Sequence, residues 1–154
     1  MQPINRILLA TDFSEDSSHA LEYAKEIARR FGAQLIVLHA DEMLAVVPGS
    51  HLAEQRRSAA QAALDSTIKD LESKDLSAVS VLRPGVPADE IVKMANDRIV
   101  DLVVMGTHGR TGLESLLMGS VAEHVVRHAP CPVLTVRNPN RHDGKRPTHP
   151  EEDA

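Results

Sequence analysis

Tryptophan is absent from this 154-residue chain, and its aromatic residues are few: Phe13, Tyr23 and Phe31. A core must therefore be aliphatic. The aromatic platforms on which proteins stack single-stranded nucleic acid cannot be assembled from so few rings. Cysteine occurs once, as Cys131, which excludes an internal disulfide and a cysteine-rich zinc site. No stretch approaches the ~20 apolar residues that a membrane span needs. The apolar run Ile7-Leu8-Leu9-Ala10 is too short for a signal peptide and leads to Asp12. Net charge is −5, so there is no bulk attraction to nucleic acid or anionic lipid. These absences lead us to expect a cytoplasmic protein with no nucleic-acid partner and no membrane partner. Two phosphate motifs are also missing. No Gly-Lys-Ser/Thr occurs, so there is no Walker A loop, and Thr11-Asp12-Phe13-Ser14 has no glycine, so the dinucleotide fingerprint is absent.

What is present is an alternation of two periods. Apolar residues make up 42% of the chain, ordinary for a globular protein, and the length suits one domain. Ile7 to Ala10, Leu35 to Leu38 and Leu102 to Met105 are continuous apolar runs, as in strands buried on both faces. Val79 and Val81 alternate with Ala78, Ser80 and Leu82, which predicts a half-exposed strand at a sheet edge. Val133 to Val136 is a short last strand. Between the strands run helical patterns. One carries Ala20, Leu21, Ala24, Ile27, Ala28 and Phe31, with Ser14 as N-cap, Glu15 and Asp16 in the first turn, and Gly32 as terminator. A second spans about His51 to Ser73, with Leu52, Ala60, Leu64, Ile68 and Leu71 on its apolar face. A third starts at Pro87 and buries Ile91, Met94, Ala95 and Ile99. A fourth runs from Ser120 to His128. Asp41 to Ser50 reads as a loop. Residues 138–154 are polar without periodicity and read as a disordered tail to a domain covering 1–137. Strands alternating with helices imply α/β architecture, a doubly wound parallel sheet that binds ligands where the strand order reverses. That would bring the ends of the first and fourth strands together.

The stretch Leu102 to Ser120 carries the chemistry. A strand ends at Gly106, Gly109 and Arg110 follow, and Gly119-Ser120 opens a helix. Strand, glycine loop and helix N-terminus are the parts with which α/β proteins hold phosphate, since first-turn N–H groups lack partners and the helix end is positive. Glycines allow close backbone approach and positive φ. Each glycine alone would be a turn residue; together, at Gly106-x2-Gly109-x9-Gly119-Ser120, they point to a phosphate site. Asp12, just past the first strand, either accepts hydrogen bonds from a base or ribose or caps the next helix. Arg110 is a phosphate partner or a solvated cation, and His108 shares its loop. His124 and His128 have metal-compatible spacing but no third ligand. His39 reads as structural, Cys131 as a small buried residue, and no Ser-His-Asp device is evident. The last strand, Val133 to Val136, would be an edge able to pair with a second copy in a homodimer.

Four segments resemble the universal stress protein family: ILLATDFS from Ile7, GVPADEI from Gly85, DLVVMGTHGRTGLESLLMGSVAEHVV from Asp101, and APCPVLTVR from Ala129. The glycine spacing matches the ATP-binding branch. The resemblance implies a single-domain, Rossmann-like five-stranded parallel sheet of order 3-2-1-4-5 and a dimer through the last strand. It also implies ATP with Mg or Mn between the ends of strands one and four. Ala10, Thr11, Asp12 and Ala40 would line adenine and ribose, and Met105 and Gly106 would back the ribose. Gly109, Gly119, Ser120 and Val121 would hold phosphates. Ala10 and Ala122 depart from the fullest form of the pattern, which implies weaker binding. The family is not generally one of efficient enzymes, and no general base for ATP hydrolysis stands out. The expectation is an ATP-binding stress-response protein acting as a homodimeric regulator with a protein partner. Its rivals are an interaction module without nucleotide and a slow ATPase or self-phosphorylating protein.

Overall fold

The computed structural model describes residues 2–108 and 118–139. Its elements are β1 (Arg6–Ala10), α1 (Glu15–Phe31), β2 (Gln34–Asp41), α2 (Met43–Val46), α3 (His51–Ser73), β3 (Ala78–Pro84), α4 (Pro87–Asp97), β4 (Leu102–Gly106), α5 (Ser120–His128) and β5 (Val133–Val136). The five strands form one sheet in the order β3-β2-β1-β4-β5. Every pairing is parallel: Leu8 lies opposite Ile36 on one side and Val103 on the other, and β3 and β5 close the two edges.

The apolar strands divide by parity, as a pleat requires. Ile7, Leu9, Leu35, Val37 and Val104 pack on one face with Ala20, Ala24 and Ala28 of α1 and Leu64 and Leu71 of α3. Leu8, Ile36, Leu38, Val103 and Met105 pack on the other with Ile91 and Met94 of α4 and Ala122 and Val125 of α5. Helices on both faces explain why the central strands lack polar alternation. β3 is more open, with Val79 38% exposed, in keeping with its edge position.

Three expected core residues stand outside. Ile99 is 75% exposed, because α4 ends at Asp97 and the chain turns through a left-handed residue, φ 50° at Ile99 itself. Val100 is buried in its place. Phe31 sits in the last turn of α1, where Gly32 at φ 64° swings the chain away, and is 49% exposed. Leu52 lies in the first turn of α3, whose buried position there is Ala53. The expected loop after β2 contains the short helix α2, anchored by buried Leu44.

β2 also runs further than expected, to Asp41. This buried carboxylate accepts from Arg56 Nε at 2.7 Å, Arg56 Nη2 at 3.0 Å and the Met43 N–H at 3.0 Å. Burial pushes its pKa up, but the Arg56 hydrogen bond, the Met43 N–H and the Arg56 and His39 charges outweigh it, and the net shift is downward. A depressed folded pKa contributes stability that is complete above the unfolded value, about 3.9, and lost as pH falls through the folded one. Asp41→Asn, which mimics the protonated acid, is expected to cost about 1–2 kcal/mol at pH 7. In urea unfolding the gap to the wild type should close below about pH 4.

Candidate functional site

A crevice of about 160 Å³ opens at the carboxyl ends of β1 and β4. This is the point where the order reverses, because β1 pairs with β2 on one side and β4 on the other. Part of its lining is apolar: Ala10, Leu38, Ala40, Ile91 and Met105. Polar lining comes from the β1–α1 turn, His108 and the start of α5.

The β1–α1 turn is tightly specified. The Thr11 N–H prolongs the ladder to Leu38 O at 2.9 Å. Thr11 O accepts from His39 Nδ1 at 2.8 Å; a carbonyl only accepts, so Nδ1 carries the hydrogen. Phe13 takes a left-handed φ of 61°, a conformation costing about 1–2 kcal/mol outside glycine. It is held by its N–H to Thr11 Oγ1 at 3.0 Å and by its ring against His39, 4.6 Å between centroids. Asp12 Oδ1 accepts from the Ser14 N–H at 3.0 Å and Ser17 Oγ at 2.6 Å. Asp12 thus holds the turn and lines the crevice as well. Ser14 caps α1 through Ser17 N.

Gly106 has a different reason for being glycine than the one expected. It is not among the positive-φ residues. A Cβ there would lie 2.8 Å from Asp16 Cβ and 3.1 Å from Asp16 C. The missing side chain lets the N-terminus of α1 close onto the end of β4. Asp16, fully buried, then accepts from the His108 N–H at 3.0 Å and lies 3.8 Å from His108 Nδ1. The Thr107 N–H donates to Val136 O at 2.9 Å, and the Gly119 N–H to Thr107 O at 2.8 Å. Gly119 is the N-cap of α5 at φ −70°, ψ 161°, again not a left-handed position, and as glycine it has no side chain with which to cap that helix.

Nine of the eleven expected site residues line this crevice: Ala10, Thr11, Asp12, Ala40, Met105, Gly106, Gly119, Ser120 and Val121. Gly109 and Arg110 lie outside the described residues. Sequence reasoning missed the part played by Asp16 and Ser17. A signal for Asp16 was present: it begins the four-residue stripe Asp16, Ala20, Ala24, Ala28, all buried. The α5 histidines lie elsewhere, stacked at 4.3 Å with His124 Nε2 3.5 Å from Asp89. Among the described residues no group of three side chains could hold a metal, and no helix is long and apolar enough to cross a membrane. Cys131 is half-buried, lining a hollow at the amino ends of the strands. Burial and the Asp101 charge push its thiol pKa up against the Val103 N–H.

A parallel five-stranded sheet with helices on both faces and a crevice at its switch point defines a doubly wound α/β domain of Rossmann-like type. Residues 3–137 match the sequence profile of the universal stress protein family, and the chain belongs to that family. Universal stress protein MJ0531 of Methanocaldococcus jannaschii is 37% identical over 142 residues, covering 88% of this chain and 84% of that one. The solved structure of MJ0577 from the same organism superposes with a TM-score of 0.83 at 32% identity, over 90% of this chain and 99% of that one. A universal stress protein from Archaeoglobus fulgidus, solved in complex with dAMP, shares the fold with a TM-score of 0.67 at 22% identity, over 88% of this chain and 99% of that one.

Proposed function

We propose that the crevice binds ATP and that the protein is a homodimeric regulator in a cytoplasmic stress response, acting through a protein partner. One observation carries the nucleotide reading: a single crevice is lined both by an apolar slot and by the start of α5, whose N-cap Gly119 has no side chain to occupy the helix end. The slot of Ala10, Leu38, Ala40, Ile91 and Met105 suits a flat, apolar-faced base. The first turn of α5, at Ser120 and Val121, offers N–H donors and a positive helix end to phosphate. The same fold holds dAMP in the Archaeoglobus protein. Mg or Mn would accompany the phosphates, taking most of its oxygens from them and from water; no residue is assigned to it.

The test begins with denaturing a fresh preparation and identifying any released small molecule. With no tryptophan and one tyrosine, the chain absorbs little in the near ultraviolet, and a bound nucleotide would dominate the spectrum. The stripped protein is then titrated with ATP and magnesium. At a hundred times Kd, ATP should add about 2.7 kcal/mol to stability, about 5–10 °C in Tm. No released nucleotide and no thermal shift would favour the interaction module instead.

The dimer reading rests on β5, an edge strand. Tyr23 and Ile27 of α1 lie on the side of that helix opposite Lys25, which reaches toward α3 through Asp70. Tyr23 is 50% exposed and Val126 of α5 48%. An edge flanked by such groups suits pairing with a second copy. Sedimentation should give twice the chain mass at micromolar concentration; a monomer there would count against it.

A further inference from the structure

The sheet has a second edge, and it is the longer of the two. β3 pairs only with β2, over seven residues without a bulge, from Ala78 opposite Leu35 to Pro84 opposite Asp41. The ladder fixes which backbone groups face outward. The Leu35 N–H donates to Ser77 O at 2.8 Å and the Gly85 N–H to Asp41 O at 3.1 Å. Val79, Val81 and Arg83, in step with these two, turn their backbone groups to β2. Ala78, Ser80 and Leu82 turn theirs away, and among the described residues nothing pairs with them. Natural edges are blunted by lysine, bulges or proline. β3 has no lysine and no bulge, and its proline stands only at the end, at Pro84.

The one charged residue of this strand is Arg83. Alternation puts it with Val79 and Val81 on the α4 face, since Val81 joins the cluster of Leu38 and Ile91 while Leu82 joins that of α1. Arg83 Nε is buried and has no hydrogen-bond partner, and among the described residues no carboxylate forms an ion pair with its guanidinium. The acids nearby are turned elsewhere. Asp41 belongs to the opposite face and is held by Arg56. The Glu90 carboxyl lies over Gly85, its Oε1 2.7 Å from where a Cβ would stand. A buried donor without an acceptor costs stability until one arrives. Val79, on the same face, is exposed, and so is Val86 just beyond the strand.

We propose that the β3 edge docks an extended, acidic segment of a partner protein, which adds a sixth strand beside residues 78–82 and sets a carboxylate on Arg83. The backbone groups of Ala78, Ser80 and Leu82 supply the main-chain bonds of such an addition. Apolar side chains of the segment cover Val79 and Val81. The carboxylate accepts from Arg83 Nε and an Nη, the side-on grip that Arg56 makes on Asp41 in this molecule. A second copy suits the edge less well. β3 holds no carboxylate, so pairing it with itself would leave Arg83 unmet. Self-pairing at both β3 and β5 would also join sheets without end. The inference goes beyond the nucleotide reading, since neither the crevice nor ATP enters it.

The experiment is selection of phage-displayed random octapeptides on the full chain, wild type and Arg83→Glu, with calorimetric titration of the enriched peptides made synthetically. Wild type should enrich apolar residues in alternation with Asp or Glu at one fixed position. Arg83→Glu should enrich Lys or Arg at that position and bind the acidic peptide about tenfold more weakly. Ser80→Pro removes an outward N–H and no ladder bond, so it should keep the fold and lose at least about tenfold in affinity. Should that variant not fold, the wild type decides with peptides N-methylated at alternate residues. Methyl groups on one alternate set should abolish binding, and on the other leave it. No enriched peptide, or the same acidic peptide bound equally by wild type and Arg83→Glu, would overturn the proposal. So would binding that neither N-methylated set disturbs. An assembly that sediments apart only in Ser80→Pro would give the edge to a second copy. A gain in peptide affinity on replacing Glu151, Glu152 and Asp153 by their amides would give it to the chain's own end. Either would overturn the case for a separate partner. ATP binding is titrated apart from all of these, so failure at the edge and failure at the crevice are told apart.

Discussion

Gly119→Leu is expected to weaken ATP binding at least about a hundredfold, about 2.7 kcal/mol, and to leave the fold intact. The two halves of that expectation have separate causes. The backbone at Gly119 is extended, φ −70° and ψ 161°, a conformation open to any L-residue. Its N–H to Thr107 O survives a change of side chain. Thermal unfolding without nucleotide should therefore be near that of the wild type. Binding is another matter, because Gly119 lines the crevice at the entrance to α5. A leucine there brings apolar bulk to the helix end that would receive the phosphates. It obstructs the N–H groups of Ser120 and Val121 without supplying a donor. Calorimetry of the variant with ATP and magnesium checks the point. Unchanged affinity would mean that phosphate sits elsewhere, and the proposal for α5 would fall.

The parts of the molecule legible in the sequence were those set by local periodicity. Apolar runs such as Ile7 to Ala10 and Leu102 to Met105 announce strands buried on both faces, and the sheet buries them so. His51–Ser73 and Ser120–His128 were readable from the apolar face of the one and the proline that follows the other; the Ser50 cap on the first is seen only in the structure. The strand order came from the family resemblance, and the parallel pairing from alternation of strand and helix. What escaped depends on contacts remote in sequence. Asp16 and His108 are ninety-two residues apart, and no pattern near either joins them. The clasp of Arg56 on Asp41 spans fifteen residues and two elements. α2 is a helix of four residues, too short for a period to show. Ile99 kept step with the apolar face of α4, but the helix stopped two residues earlier. In each case tertiary packing decided what periodicity left open.

Gly106 and Gly32 separate two reasons for glycine, and their replacements should behave in opposite ways. Gly32 closes α1 at φ 64°, and a Cβ there would meet nothing within 4 Å. Its requirement is conformational, and asparagine, which tolerates the left-handed region, should replace it at a cost of about 1 kcal/mol or less. Gly106 has no such conformational need. Its Cβ would fall 2.8 Å from Asp16 Cβ, 3.1 Å from Asp16 C and 3.3 Å from Asp16 O. Those atoms belong to the first turn of a packed helix and cannot swing aside as a side-chain end could. Even Gly106→Ala must push α1 off β4, at about 1–3 kcal/mol for overpacking. Gly106→Asn should cost more. The displacement pulls Asp16 from the His108 N–H, so hydrogen exchange at that amide should quicken in the variant, and the shape of the crevice should suffer with it. Urea unfolding of the Gly106 and Gly32 variants side by side gives the comparison. Equal, small losses at both positions would show that α1 does not depend on bare backbone at the end of β4. A large loss at Gly106 alone would identify the first glycine of the motif as the residue that seats α1, with the anion left to Gly119 and the helix behind it.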